Sequence, residues 1–357
     1  MHFVEFMQTS GHQELAVWTD QDAGLTAFIA IHNTTLGPAL GGTRIWPHTT
    51  HDDAIMDVLR LSRAMTYKNA AVGLPMGGGK GLVLADPRTD KTEPMFRSYG
   101  RFVESLQGRY ITTEDVGASA RDMEWIAQET THVVGLPEER GGSGNPSTVT
   151  GFGVFQAMRA CALAQWGSDS LAGKTIAIQG FGNVAGSLAQ HLLEAGAKLV
   201  VTDIFEDARA RAAALPGVEI VEPDAIHDVA ADVFAPCALG GVLNEETIPR
   251  LQAPIVCGAA NNQLREDADA ERLQARGVLW APDYIANAGG VINVYHEFAG
   301  PYDREAAMAQ TARIFDTTAR VIQRAKEDGT TTLRAADDLA EQRIAAERKE
   351  RRTPALG

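Results

Sequence analysis

The sequence predicts a mixed α/β fold in two domains, the second a doubly wound parallel sheet, and three observations carry that reading. From residue 175 onward, short and nearly continuous apolar runs recur at TIAIQ (175–179), KLVVTD (198–203), ADVFAP (231–236), PIVCGA (254–259) and GVLWAP (277–282). The gaps between them suit helices or compact crossovers, the pattern of strands buried on both faces. Before residue 141, strand-like runs alternate with helical periodicity instead. Between the two regions lies GGSGNPS (141–147), whose composition marks a linker and supplies a hinge. A length of 357 residues suits two domains. The boundaries read as 1–145, 146–328 and a C-terminal segment 329–357.

The elements follow in order. LTAFIAIH (25–32) is a β-rich apolar run stopped by Asn33, Thr34 and Thr35. Residues 52–68 place Ala54, Ile55, Val58, Leu59, Leu61 and Met65 at helical spacing after the capping candidates Asp52 and Asp53, so a helix delivers Lys68 at its C-terminal end. A strand is expected at GLVLAD (81–86), a helix at 95–106, and a strand at RYITTED (109–115) whose end carries Glu114 and Asp115. An apolar helix spans about 148–166, and two helical segments, 303–327 and 333–350, are separated by Gly329 and a threonine run.

Composition narrows the function. Thirty-two Lys and Arg against forty-six Asp and Glu give a net charge of −14, which repels phosphate backbones and anionic lipid and argues against nucleic acid and membrane as partners. Cys161, Cys237 and Cys257 form no C-x-x-C pair, so neither a disulfide framework nor a zinc site is expected and a reducing, cytoplasmic setting is. No apolar run approaches the ~18 to 20 residues of a membrane span. His296-Glu297 lacks the second histidine of H-E-x-x-H, so no metal is expected. Glycine, at 35 residues, exceeds the usual share without periodicity, which points to backbone approaching ligands.

GFGNVAG (180–186) directly follows the TIAIQ run and opens a helix. Gly180 permits the tight turn, Gly182 admits a pyrophosphate to the backbone, and Ala185 allows close helix packing. Asp203, at the end of the next strand, suits a ribose diol and repels a 2′-phosphate, so NAD is favoured over NADP; Arg209 and Arg211 lie farther along. GGGKG (77–81) is no P-loop, because Leu74 stands where that motif needs glycine and Gly81 where it needs Ser or Thr. It surrounds Lys80 with backbone, so that a small substrate can come close to the ammonium. Desolvation or a neighbouring cation, for which Lys68 is the candidate, would lower the pKa of Lys80 toward that of a usable base. The plainer alternative is two surface lysines beside a flexible loop.

The motifs GPALGGTR (37–44), MTYKNA (65–70), GGGKG (77–81), TTEDVG (112–117), SGNPS (143–147), GFGNVA (180–185), APCALGG (235–241), GAANNQL (258–264) and APDYIANAGGVINV (281–294) together resemble the Glu/Leu/Phe/Val dehydrogenase family, in order and over essentially the whole chain. The resemblance is strongest to its leucine-acting members. It implies NAD-dependent, reversible oxidative deamination of L-leucine and other branched-chain L-amino acids to 2-oxo acids and ammonia. It also implies an N-terminal substrate domain, a Rossmann cofactor domain, a C-terminal helix returning to the first, and a homo-oligomer, an octamer or a dimer.

By that resemblance Lys68, with the backbone of a Gly41-Gly42 turn, receives the substrate carboxylate, Lys80 is the general base that activates water, and Asp115 handles the proton. Asn262 is placed where substrate and nicotinamide meet. Leu40, Met65, Thr113, Val291 and Val294 form the side-chain pocket, with no basic residue for a glutamate. Phe181, Asn183, Val184 and Gly186 join Gly180, Gly182, Ala185 and Asp203 at the cofactor, as do Thr150, Cys237, Ala238, Ala259 and Asn261. Glu114 is read as a structural neighbour facing away from Asp115. Thr113 stands where leucine-acting members carry Ala, and Tyr295 is closer to the aromatic-acting members. Two alternatives therefore accompany the main reading: a phenylalanine or tryptophan dehydrogenase, and a non-catalytic NAD-binding regulator.

Overall fold

A computed structural model describes residues 3–352, and the chain divides into two compact units. The first comprises residues up to Asn145, Asn293–Arg304 and the chain from Ala340; the second comprises Pro146–Ile292 and Glu305–Leu339. The change of unit thus falls inside the Gly-Ser-Asn-Pro cluster. No helix among the described residues is long and apolar enough to cross a membrane.

The first unit begins with α1 (Phe3–Ser10) and is built on β1 (Glu14–Asp20), β2 (Leu25–Asn33), β3 (Ala39–Ile45), β4 (Gly77–Val83) and β5 (Tyr110–Glu114). These form one sheet in the order β1-β2-β4-β3-β5, antiparallel across β1-β2 and β2-β4 and parallel across β4-β3 and β3-β5. Side chains alternate between faces, and each face has its own helix. On one, α2 (His51–Ala71) buries Ala54, Ile55, Val58 and Leu59 against Phe28, Ala30 and Leu82. Its start is fixed by Thr50, whose hydroxyl accepts from the Asp53 amide at 3.1 Å, with Asp52 and Asp53 in the positive first turn. On the other, α3 (Glu93–Ser105) and α4 (Ala120–Ile126) pack Phe96, Tyr99, Val103, Met123 and Ile126 against Ile29, Ile31, Val83 and Tyr110.

Two expectations are corrected here. The glycine cluster 77–81 is not a loop before a strand: it is the strand, β4 beginning at Gly77 and ending at Val83 rather than running from 81 to 86. Gly41 and Gly42 likewise lie within β3, not in a turn. Close packing explains both. A Cβ on Gly78 would stand 2.1 Å from the Thr66 backbone nitrogen, and one on Gly41 would stand 1.8 Å from the Gly79 carbonyl oxygen. The low strand preference of glycine hides such strands from a composition reading.

The second unit opens on α5 (Ser147–Trp166) and carries β6 (Thr175–Gln179), α6 (Asn183–Glu194), β7 (Lys198–Thr202), α7 (Glu206–Ala213), β8 (Val218–Ile220), β9 (Val233–Pro236), β10 (Ile255–Val256), α8 (Ala268–Ala275) and β11 (Leu279–Trp280). All its strand pairs are parallel, in the order β11-β10-β9-β6-β7-β8, the doubly wound order of the expected fold class. Helices α9 (Asp283–Ala286), α10 (Gly289–Ala299), α11 (Arg304–Ala312), α12 (Ile314–Asp328) and α13 (Thr332–Arg352) complete the chain. The helix expected over 303–327 is two helices, interrupted at Arg313. Within the first unit, Ala340 and Ile344 of α13 pack on Leu36 and Ala70, and Arg343 donates to the carbonyls of Asn69 and Ala70 at 3.3 and 2.9 Å.

Candidate active site

The chemistry-bearing side chains of the first unit converge on the α2 face of its sheet. Lys80 alternates with the buried glycines of β4 and is only 4% exposed, opposite Ala30 of β2. Asp115 follows the last residue of β5, and its Oδ1 lies 2.9 Å from Lys80 Nζ. The other oxygen, Oδ2, accepts from Arg44 Nε at 3.1 Å, and Arg44 continues through Nη1 to Asp57 of α2 at 3.1 Å. His48 Nε2 meets the same Asp57 oxygen at 3.2 Å. The result is a chain of alternating charge, Lys80, Asp115, Arg44, Asp57, closed by a histidine.

Its electrostatics follow from burial and charge count. Burial pushes the Lys80 ammonium down, Asp115 pulls it back up, and Arg44 pushes it down again; the net direction is down. Burial by itself would raise Asp115, but Lys80 and Arg44 outweigh it and hold the carboxyl at about 2. Arg44 is a cation that lowers Lys80, and sequence reasoning named only Lys68 for that part. Arg44, Asp57 and His48 were all missed. The signal was present in GGTR: once β3 is known to be a strand, period two puts Gly42 and Arg44 on the same side.

Lys68 occupies the last turn of α2, half-buried. Its neighbour Asn69 fixes that turn against the sheet, donating to the carbonyls of Gly77 at 2.6 Å and Leu40 at 3.4 Å. Gly42 lies under Asp115: a Cβ there would come within 2.8 Å of the Asp115 Cβ. Met65 approaches Gly41, with 3.3 Å between its Cγ and a hypothetical Cβ. Leu40 is fully buried, Val294 is buried, and Thr113 is half-buried on β5 beside Gly135, paired in register with Gly42. Glu114 stands apart from Lys80, raised by burial and by Asp122 and lowered by Lys91. Beneath the site, on the opposite face, hydroxyls link Tyr99 to Thr43 at 2.7 Å, Thr43 to Thr112 at 2.6 Å, and Tyr110 to the Gly41 carbonyl at 2.7 Å.

In the second unit, the loops after β6 and β9, which carry Gly180, Phe181 and Gly182 in the one and Cys237 and Ala238 in the other, meet at the carboxyl ends of those strands, where the strand order reverses. Gly180, at φ 93°, would bring a Cβ within 2.6 Å of Ala238 Cβ, so the loop after β6 abuts the loop after β9. Gly182 precedes α6, and a Cβ on it or on Gly186 would meet no described atom within 4 Å. No side chain among the described residues caps α6. Its first amides, on Asn183, Val184 and Ala185, form with that free volume a place that fits a pyrophosphate. Asp203 is held at the end of β7 by the amides of Phe181 at 2.7 Å and Phe205 at 2.9 Å. Arg209 and Arg211, expected farther away, reach back to the carbonyls of Asp203 at 2.6 Å and Phe181 at 3.4 Å.

Cys237 donates its amide to Gln179 of β6 at 2.8 Å, and burial pushes its thiol up to about 12. Asn287 bridges the Ala259 carbonyl at 3.1 Å and Asn261 Oδ1 at 2.7 Å. Asn262 is exposed in a left-handed conformation, φ 52°, with its carbonyl accepting from Gly241 at 2.7 Å. Thr150 of α5 bonds its own first turn at Pro146 and lies under Gly290, one residue before the buried Val291.

Comparison with known proteins agrees with this arrangement. The chain is 50% identical over 351 residues to a leucine dehydrogenase of Geobacillus stearothermophilus, covering 98% of this chain and 95% of the relative. It is 46% identical over 354 residues to a valine dehydrogenase of Streptomyces albus, covering 98% and 97%. Among solved structures, an L-tryptophan dehydrogenase from Nostoc punctiforme superposes with a TM-score of 0.85 at 44% identity, covering 97% of this chain and 99% of that one. Family profiles match residues 12–132 as "Glu/Leu/Phe/Val dehydrogenase, dimerisation domain" and residues 141–204 and 201–352 as "Glutamate/Leucine/Phenylalanine/Valine dehydrogenase". With the paired lysine and carboxylate of one unit and the doubly wound sheet of the other, these matches make the chain a member of the Glu/Leu/Phe/Val dehydrogenase family, an amino-acid dehydrogenase whose chemistry implies a nicotinamide cofactor.

Proposed function

We propose that the protein oxidatively deaminates L-leucine and other branched-chain L-amino acids with NAD, reversibly. The observation that carries the mechanism is the buried pair of Lys80, on the central strand β4, and Asp115, 2.9 Å apart on the sheet face covered by α2, the helix whose last turn carries Lys68. Lys68 takes the substrate carboxylate as a point charge. A bound NAD would supply the acceptor for the hydride of the substrate Cα. Asp115, a carboxylate, takes the proton that the substrate ammonium loses as the hydride leaves; Lys80, as the free amine, removes a proton from the water that attacks the resulting iminium carbon, and Asp115 returns its proton to the departing ammonia. Gly41 and Gly42 would add their backbone to the site of the substrate carboxylate.

The side chains of the first unit assigned to substrate selection, Leu40, Met65, Thr113 and Val294, carry no cation, which favours an aliphatic substrate over glutamate. In the second unit, Gly180 to Gly186 would hold the pyrophosphate, Asp203 the ribose diol, and Thr150, Cys237, Ala238, Ala259, Asn261 and Asn262 the nicotinamide side of the cofactor. Asp203 favours NAD because its carboxylate opposes a 2′-phosphate. The exposed edge strand β1 and the dimerisation profile over residues 12–132 support a homo-oligomer. The three cysteines are free, in keeping with a reducing cytoplasm.

Absorbance of the reduced cofactor, followed with L-Leu, L-Val, L-Ile, L-Phe and L-Trp and with NAD or NADP, tests the assignment. Turnover is expected with the aliphatic substrates and NAD; faster turnover of the aromatic pair would transfer the assignment to them. Lys80→Ala should lower kcat by at least about 10³ while dinucleotide binding, read by titration calorimetry, stays near the parent. Activity within tenfold of the parent would remove Lys80 from the role of base.

A further inference from the structure

We infer that Arg44, held in place by Asp57, is a positioning residue for the Lys80–Asp115 pair: it takes one oxygen of Asp115 for itself and faces Lys80 with a second positive charge. The inference rests on the reading of Lys80 as the base.

The geometry divides Asp115 between two cations, Oδ1 to Lys80 at 2.9 Å and Oδ2 to Arg44 at 3.1 Å. A buried lysine paired with a carboxylate of its own would keep its proton, because an opposite charge at contact stabilises the ammonium. Sharing that carboxylate with a guanidinium that never deprotonates weakens the hold on the lysine proton. Arg44 itself stays put because Asp57 receives Nη1 at both oxygens, at 3.3 and 3.1 Å. Among the described residues, Asp115 beyond β5, Arg44 on β3 and Asp57 on α2 act on Lys80, with His48 behind Asp57; α2 also carries Lys68 in its last turn, and β2 faces Lys80 with Ala30. Arg44 lowers the lysine and Asp57 raises it, so the two have opposite signs although they touch each other.

That opposition separates a charge-setting role from a merely structural one. In kcat/KM for oxidative deamination against pH, the rising limb marks loss of the Lys80 proton. Arg44→Gln should move that limb about one unit toward alkaline pH, Arg44→Lys should bring it most of the way back, and Asp57→Asn should move it toward acid. A structural role predicts the same loss of activity in all three at an unmoved limb, and that result, in variants whose thermal unfolding shows them folded, overturns the proposal. Should Arg44→Gln not fold, Asp57→Asn decides alone, an acid-shifted limb supporting the inference and a parental limb refuting it. An active Lys80→Ala variant would instead remove the base itself, so the two failures are distinguishable.

Discussion

The molecule uses glycine in two opposite ways. In β4, the absent side chains are replaced by the protein's own atoms: a Cβ on Gly81 would stand 2.0 Å from the Tyr99 hydroxyl and one on Gly77 2.1 Å from the Asn33 carbonyl oxygen. Behind β6, Gly182 and Gly186 face free volume. The expectation that the first cluster keeps side chains away so that substrate can approach the lysine is thus corrected. Its glycines let α2, α3 and the neighbouring strands close on the backbone, and that closeness holds Lys80 still. A glycine excess alone does not distinguish packing from ligand space; the nearest atom to the missing Cβ does.

The largest expected effect is on the packed cluster. Gly78→Ala forces its methyl against the Thr66 backbone nitrogen at 2.1 Å and its hydroxyl at 2.2 Å, so either α2 or β4 must move. Overpacking of this kind costs about 3 kcal/mol or more, because neither neighbour is a flexible side-chain end. The variant should unfold at markedly lower denaturant than the parent, and a parental midpoint would erase the contrast. Gly182→Ala is the counterpart. Its methyl meets no described atom, so the unfolding midpoint should stay near the parent. Dinucleotide affinity should fall at least tenfold, about 1.4 kcal/mol, as the methyl occupies the pyrophosphate's approach. A stability loss without an affinity loss would place Gly182 with the packing glycines.

The same contrast explains what could be read from sequence. Strands buried on both faces of a parallel sheet are written as apolar runs, and TIAIQ coincides with β6 residue for residue. The first sheet is not written that way. Four of the seven residues of β4 are glycine and one is the lysine, while β3 carries Gly41, Gly42 and Arg44, so neither looks like a strand. Strands β10 and β11, two residues each, were overextended because apolar runs continue into buried loops. At the site, Lys80, Lys68 and Asp115 stand in compact motifs, whereas Arg44 and Asp57 belong to it by side-chain reach across β3 and α2. Spacing along the chain carries no record of such reach.

The smallest expected effect sharpens the packing side of the comparison. Thr66, which presses on Gly78, is held by His32, whose Nδ1 lies 2.7 Å from the Thr66 hydroxyl and whose Nε2 meets the Ser10 carbonyl at 2.9 Å. Burial lowers His32 from 6.5 to about 4, with His12 and Arg63 adding in the same direction and the Ser10 bond opposing. A folded-state pKa below the unfolded one means that the unfolded chain takes up the proton first. Stability is therefore undiminished above about pH 6.5 and declines progressively as the pH falls toward 4. At pH 5.5 the loss from this group should be about 1 kcal/mol. Denaturant unfolding at pH 7.5 and 5.5 measures it, with His32→Gln as the control that removes the titrating ring. In that variant the difference between the two pH values should shrink by about the same 1 kcal/mol. An unchanged difference would mean that the histidine is indifferent to its burial, and that the Thr66 contact does not tie the glycine strand to a protonation state.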